Sequence, residues 1–207
     1  MPLIQEERMM ITIDKDRFDF LLYAYFGGSN NPYPVASKRA YRDLCRTLRF
    51  NGGDGHEYRE DMDALLEKRI RSLLAEPSHT QAHYDEWHQS LCEEMVGYYH
   101  NRGIEFNIGH AQKWVNMTMK YLYIHGGVDV SSVFDYLHVP LDQYVFTAAE
   151  GKLSLRRPCA AWSKICDYKL YLDFQKKIRA AVDVAPLRWE FQNWIEEAAK
   201  RKGGNSE

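Results

Sequence analysis

Apolar positions recur every three to four residues along nearly the whole chain, and no stretch alternates strictly in the manner of a half-buried strand. The first periodic segment puts Phe18, Leu21, Leu22 and Tyr25 on one face, with Asp14 suited to cap it and Gly27 and Gly28 to end it. Residues 10–13 read as a short extended piece and SNNPYP as a loop. Ser37 stands where a cap would open a second helix, with Ala40, Tyr41, Leu44, Cys45 and Leu48 on its inner face. NGGDG at 51–55 breaks the pattern and marks a subdomain division near 51–56. A long helix over 56–75 follows, striped by Met62, Leu65, Leu66, Ile70, Leu73 and Leu74. Thr80 opens the next, with Tyr84, Trp87, Leu91, Met95 and Tyr98 spaced three or four apart. Further helices are expected over 109–124, briefly over 130–136, from Pro140 to about 149, and over 167–182 and 186–202, with 151–159 irregular. The predicted fold class is all-α: a compact multi-helix domain spanning 1–207, with a disordered tail at 203–207.

Composition narrows this picture without redirecting it. A chain of 207 residues, 45% hydrophobic and 27% charged, is long enough for one core without staples. No apolar run reaches about 18 residues, so no membrane span is expected. The start MPLIQEERMMITI lacks the features of a signal peptide. Cys45, Cys92, Cys159 and Cys166 form no CxxC pair, which leaves zinc-ribbon, redox and four-thiolate cluster chemistry unsupported and suits reduced thiols in a cytoplasmic protein. His83 and His88 are five apart, not the four of a shared helix face, so no metal site is expected there. P-loop, GxGxxG and GxSxG motifs are absent as well. A net charge of −2 supplies no global field for nucleic acid. Local basic clusters remain at Lys38–Arg39–Arg42–Arg46, Arg156–Arg157 and Lys200–Arg201–Lys202, each also readable as a solvated face.

The chemistry concentrates in residues 106–147. Asn107, Ile108 and Gly109 form a turn between two helices, and both Asn and Gly tolerate positive φ. The helix start behind such a turn can hold an anion such as a phosphate, or be an ordinary corner. On the helix that follows, Lys113 and Lys120 lie about two turns, or about 10 Å, apart with Asn116 between them. They read either as a site or as a solvated stripe beside the buried Val115, Met119 and Leu122. His138-Val139-Pro140-Leu141-Asp142 then sets an aspartate in the first turn of a proline-initiated helix, as a cap or as a functional carboxylate. Near the end, Glu190 and Trp194 share a helix face and are suited either to read and stack a base or to pack in the core.

A hairpin turn, a helix with Lys-x6-Lys, a loop, and Pro-hydrophobic-Asp at a helix start resemble, in that order, the helix-hairpin-helix DNA glycosylase superfamily. Within it, the segment is most similar to the archaeal-type 8-oxoguanine DNA glycosylases. The match covers about a fifth of the chain, and the 29-residue interval from Lys113 to Asp142 suits the long-loop type. Two positions depart from the pattern: the usual Gly-hydrophobic-Gly is Asn107-Ile108-Gly109, and Ala111 stands where most bifunctional relatives carry the lysine. The resemblance implies a glycosylase-like helical fold and a double-stranded DNA partner with a flipped, oxidised base. It implies Lys113 as Schiff-base nucleophile, Lys120 as supporting lysine and Asp142 as carboxylate, with Asn107, Gly109, Asn116, Glu190 and Trp194 around the substrate. No cofactor and no metal are implied. The other function class open on these residues is a non-catalytic helical module that binds DNA or protein through its aromatic surface.

Overall fold

The computed structural model describes residues 14–27, 30–50 and 55–203, with side chains through Lys200. The extended piece expected at 10–13, most of the break at 51–55 and most of the tail at 203–207 lie outside these residues, as do the side chains of Arg201 and Lys202. Among the described residues the protein is all-helical, with eight α-helices and no strand. They are α1 (Lys15–Phe26), α2 (Pro32–Arg42), α3 (His56–Leu74), α4 (Gln81–His100), α5 (Ile108–His125), α6 (Gln143–Leu153), α7 (Tyr168–Ala181) and α8 (Pro186–Gly203). Single 3-10 turns stand at Cys45–Thr47, Phe134–Tyr136 and Trp162–Lys164.

Several helix starts follow directly from local sequence. Asp14, Thr80 and Asp167 cap α1, α4 and α7 through side-chain oxygens that accept N–H groups of the first turn. Two starts fall elsewhere than the sequence suggests. α2 begins at Pro32 under an Asn31 cap, so the last three residues of SNNPYP are not loop but the first helical turn, because proline needs no N–H partner there. Ser37 is consequently internal and buried, hydrogen-bonded to Asp63 and accepting from Trp114 Nε1. α6 begins at Gln143 with Asp142 as its cap, which leaves Pro140 in the preceding strap, and it continues through Leu153 into the stretch read as irregular.

α5 is the axis of the fold. It packs most extensively on α2, then on α4, with further contacts to the 162–164 turn and α7. Every residue from Ile108 to Leu122 is buried. The solvated-stripe reading of this helix therefore fails: Lys113, Asn116 and Lys120 are enclosed and paired. One hydrophobic core draws on α2 through α8. In α4 the buried tyrosine of the last turn is Tyr99, with Tyr98 turned to the periphery. α6 packs on α8, which carries the C-terminal tryptophans toward α5.

Candidate active site

A cleft of about 830 Å³ opens where α5, α6 and α8 meet the outer ends of α1 and α2. Its floor is one face of α5: Lys113, Met117, Lys120, Tyr121 and Ile124. At about 100° per residue these positions fall within a single helical sector. Asn116 sits about 60° around the axis from Lys113, on the opposite side from Met117, and so turns into the protein. There its amide nitrogen donates to Val139 O, Gln112 Oε1 and Tyr171 Oη, and its oxygen pairs with His88 Nε2. Asn116 is thus a framework residue, not a wall of the cleft as expected.

Lys113 and Asp142 are brought together. Lys113 Nζ donates to Asp142 Oδ2 across 2.7 Å, with side chains only 5% and 14% exposed. The carboxylate is held from three sides. Oδ1 accepts the Val145 N–H as the cap of α6, while Oδ2 also accepts Trp194 Nε1 at 3.1 Å. Burial alone would raise the Asp142 pKa. The Lys113 ammonium, aided by the two N–H donors, outweighs it and holds the carboxyl below its ordinary value. The strap that delivers Asp142 is clamped by two glutamines. Gln112 donates to Leu141 O and accepts Leu141 N–H, and Gln175 does the same for Val139.

Lys120 and Glu190 also converge. Lys120 Nζ donates to both Glu190 oxygens, at 2.8 and 2.7 Å, and lies 4.8 Å from the Phe191 ring centre and 5.7 Å from that of Trp194. Burial raises the Glu190 pKa despite the adjacent lysines. Trp194 packs edge-on against Tyr144, and both line the cleft with Phe191, Trp162 and Tyr25. Arg39, Arg42 and Arg46 stand on the α2 side. Arg39 stacks over Tyr25, whereas Arg42 and Arg46 are exposed. Arg39 and Arg42 also line an adjoining hollow of about 210 Å³ with Lys38. By contrast, Arg157 is paired with Glu150 and does not line the cleft.

Asn107 and Gly109 have other work than holding an anion. The Gly109 N–H donates to Ile165 O at 2.8 Å, and Asn107 Nδ2 to Ser163 O. The backbone of 162–165 thus covers the start of α5. Neither residue adopts positive φ. The glycine is needed for close approach: a Cβ there would lie 1.9 Å from Trp162 O. The sequence reading missed Met117, Tyr121 and Phe191. The helical repeat from Lys113 would have exposed the first two. Phe191 adjoins Glu190, but its neighbour across the cleft depends on how α8 meets α5.

The arrangement provides an amine and a carboxylate in contact, a second buried ion pair, aromatic faces for a planar ligand and arginines at the rim. No protein-family model, curated protein or solved structure matches the chain.

Proposed function

We propose that the protein is a DNA base-excision glycosylase with AP-lyase activity toward oxidised bases. The observation that carries this reading is the 2.7 Å contact between Lys113 and Asp142 in an aromatic, arginine-rimmed cleft. The resemblance of residues 106–147 to the helix-hairpin-helix glycosylases supports it. A nucleotide flipped from the duplex enters the cleft, where Phe191 and Trp194 offer stacking surfaces and the Lys120 ammonium, held from behind by the buried Glu190, offers donors to the base edge. Arg39, Arg42 and Arg46 meet the phosphates outside.

Asp142 accepts a proton from the Lys113 ammonium, and the freed lone pair attacks C1′ of the sugar. The glycosidic bond breaks, its electron pair leaves with the base, and the proton held on Asp142 passes to the departing base. The C1′–O4′ bond then breaks as one of the two protons left on the nitrogen passes to O4′, and the nitrogen lone pair forms the C1′=N bond of a protonated Schiff base. Removal of a C2′ proton then expels the 3′ phosphate by β-elimination. The carboxylate, close to the developing positive charge on the sugar, stabilises it electrostatically.

Borohydride trapping tests the reading. The protein is incubated with duplexes carrying 8-oxoguanine or an abasic site, beside Lys113→Gln, Lys120→Gln and Asp142→Asn. A covalent adduct that disappears in Lys113→Gln is expected. An adduct lost only in Lys120→Gln would keep the class and move the nucleophile. No adduct, no strand cleavage and no base release would overturn the proposal. That outcome would favour a non-catalytic binding module, a reading supported by α1, whose Phe20, Leu21 and Tyr23 are exposed.

A further inference from the structure

The corner between α3 and α4 belongs to a different part of the surface from the residues that line the cleft. Glu76, His79 and His83 there bring one carboxylate oxygen and two imidazole nitrogens within 4.8 Å of one another. Glu76 Oε2 lies 3.3 Å from His83 Nε2 and 3.9 Å from His79 Nδ1, and the two rings face each other 6.0 Å apart at 17°. Local sequence explains the meeting. α3 ends at Leu74, just before Pro77, and Thr80 caps α4 by accepting the His83 N–H. Glu76 and His83 thus flank a tight corner, and His79 precedes the cap.

His79 is the anomaly. Its side chain is 1% exposed, yet neither ring nitrogen has a hydrogen-bond partner. A neutral imidazole carries one N–H and one lone pair, and burying both unmatched is costly. The Nδ1 edge meanwhile faces a carboxylate oxygen just beyond hydrogen-bonding range.

We propose that Glu76, His79 and His83 form a binding site for a divalent transition-metal ion of the zinc class. Two imidazole nitrogens disfavour magnesium and calcium, which take oxygen ligands. Ligand bonds of about 2.0–2.2 Å in a tetrahedral site separate donor atoms by about 3.4 Å. The 3.3 and 3.9 Å separations, and a third of at most 4.8 Å, need side-chain movements of no more than about 1.4 Å to match. Three protein ligands leave the fourth position to water. The ion would satisfy a buried His79 nitrogen and pin the end of α3 to the start of α4. Pairing His83 with His88 conceals this site in the sequence, because His88 points into the core and His79 stands outside the helix.

The test is titration of the metal-free protein with Co2+, followed in the visible range, and thermal denaturation with Zn2+. One equivalent of Co2+ should give tetrahedral ligand-field bands without thiolate charge transfer, and Zn2+ should raise Tm by several degrees. His83 and Glu76 are part-exposed, so His83→Gln and Glu76→Gln should weaken Co2+ binding at least about tenfold while leaving the metal-free Tm nearly unchanged. No spectral change in a large excess of Co2+ would overturn the proposal. So would binding that survives both substitutions, or that shows thiolate charge transfer from Cys159 or Cys166. None of these outcomes bears on the DNA reaction.

Discussion

Asp142 divides its two oxygens between structure and chemistry: Oδ1 caps α6, and Oδ2 meets Lys113 and Trp194. Asn caps a helix about as well as Asp but brings no charge to Lys113. Asp142→Asn should therefore keep α6 and lower base release by about 10²–10⁴-fold, the range for a positioned acid–base group. Single-turnover assays at saturating enzyme would measure this. An unchanged rate would remove Asp142 from the reaction. The Lys120–Glu190 pair has side chains 10% and 1% exposed, so it separates stability from function more cleanly. Glu190→Gln leaves an enclosed ammonium without its counter-charge and should cost about 3–5 kcal/mol in urea denaturation. Replacing both residues, Lys120→Met with Glu190→Leu, should recover most of that loss, because apolar packing avoids the desolvation of two ions. If the pair serves the substrate, the double variant will be folded and inactive. A folded variant with full activity would show that the pair only fills space.

At the level of elements, α5 depends on how closely the 162–165 turn lies against its start. Gly109→Ala would press a methyl group into the Trp162 carbonyl oxygen, a backbone atom that cannot swing aside. The expected cost is about 3 kcal/mol or more, at the upper end for overpacking, and a urea series would check it. A cost near that of an exposed Gly→Ala change would mean the turn moves freely. The same helix marks what the sequence made legible. Its limits, the opening of α4 at Thr80 and the start of α7 near Asp167 follow from spacing and capping rules that act over a few residues, whereas the meeting of Lys113 with Asp142, 29 residues apart, was only what the family resemblance implied. The role of Gly109 was misread, because a turn that needs positive φ and a glycine that needs close approach look alike until the opposing backbone is in place. Asn116 shows the same limit: seven-residue spacing put it on the lysine stripe, and a rotation of about 60° sends it to the interior. The start of α2 was missed because Asn-Pro-Tyr-Pro is both a loop signal and a sound first helical turn.

Across the whole molecule, the buried polar groups make acid the condition to which the fold is most sensitive. His88 and His138 are 0% and 2% exposed and sit in one network with Tyr168, Tyr171, Asn116 and Asp85. Burial lowers the pKa of both histidines, well below the ordinary value for His88. His110, whose Nδ1 accepts the Asn107 N–H, is brought down to about 4, also by burial. Unfolded, each returns to about 6.5. Between that value and its folded pKa, the unfolded chain holds the extra proton. The stability that comes from keeping these rings neutral is therefore complete above about pH 6.5 and is lost as pH falls toward the folded values. Each histidine contributes up to about 1.4 kcal/mol per pH unit in that window. Asp85 is held at about 2, since its bonds to His138 and Gln81 outweigh the effect of burial, and it adds a loss of the same sign below about pH 4. Glu190, whose pKa is raised, acts in the opposite sense and offsets part of the fall near its own titration. A typical domain is stable by only about 5–15 kcal/mol, so two or three such protons are enough to unfold it. Urea denaturation from pH 7.5 down to 4.5 should show stability falling steadily below about pH 6.5. In His110→Gln, which can still accept the Asn107 N–H, the slope should drop by about one proton's worth. A flat profile across that range would mean that the folded protein takes up these protons at the same pH as the unfolded chain, and the buried histidines would then not be the source of its acid sensitivity.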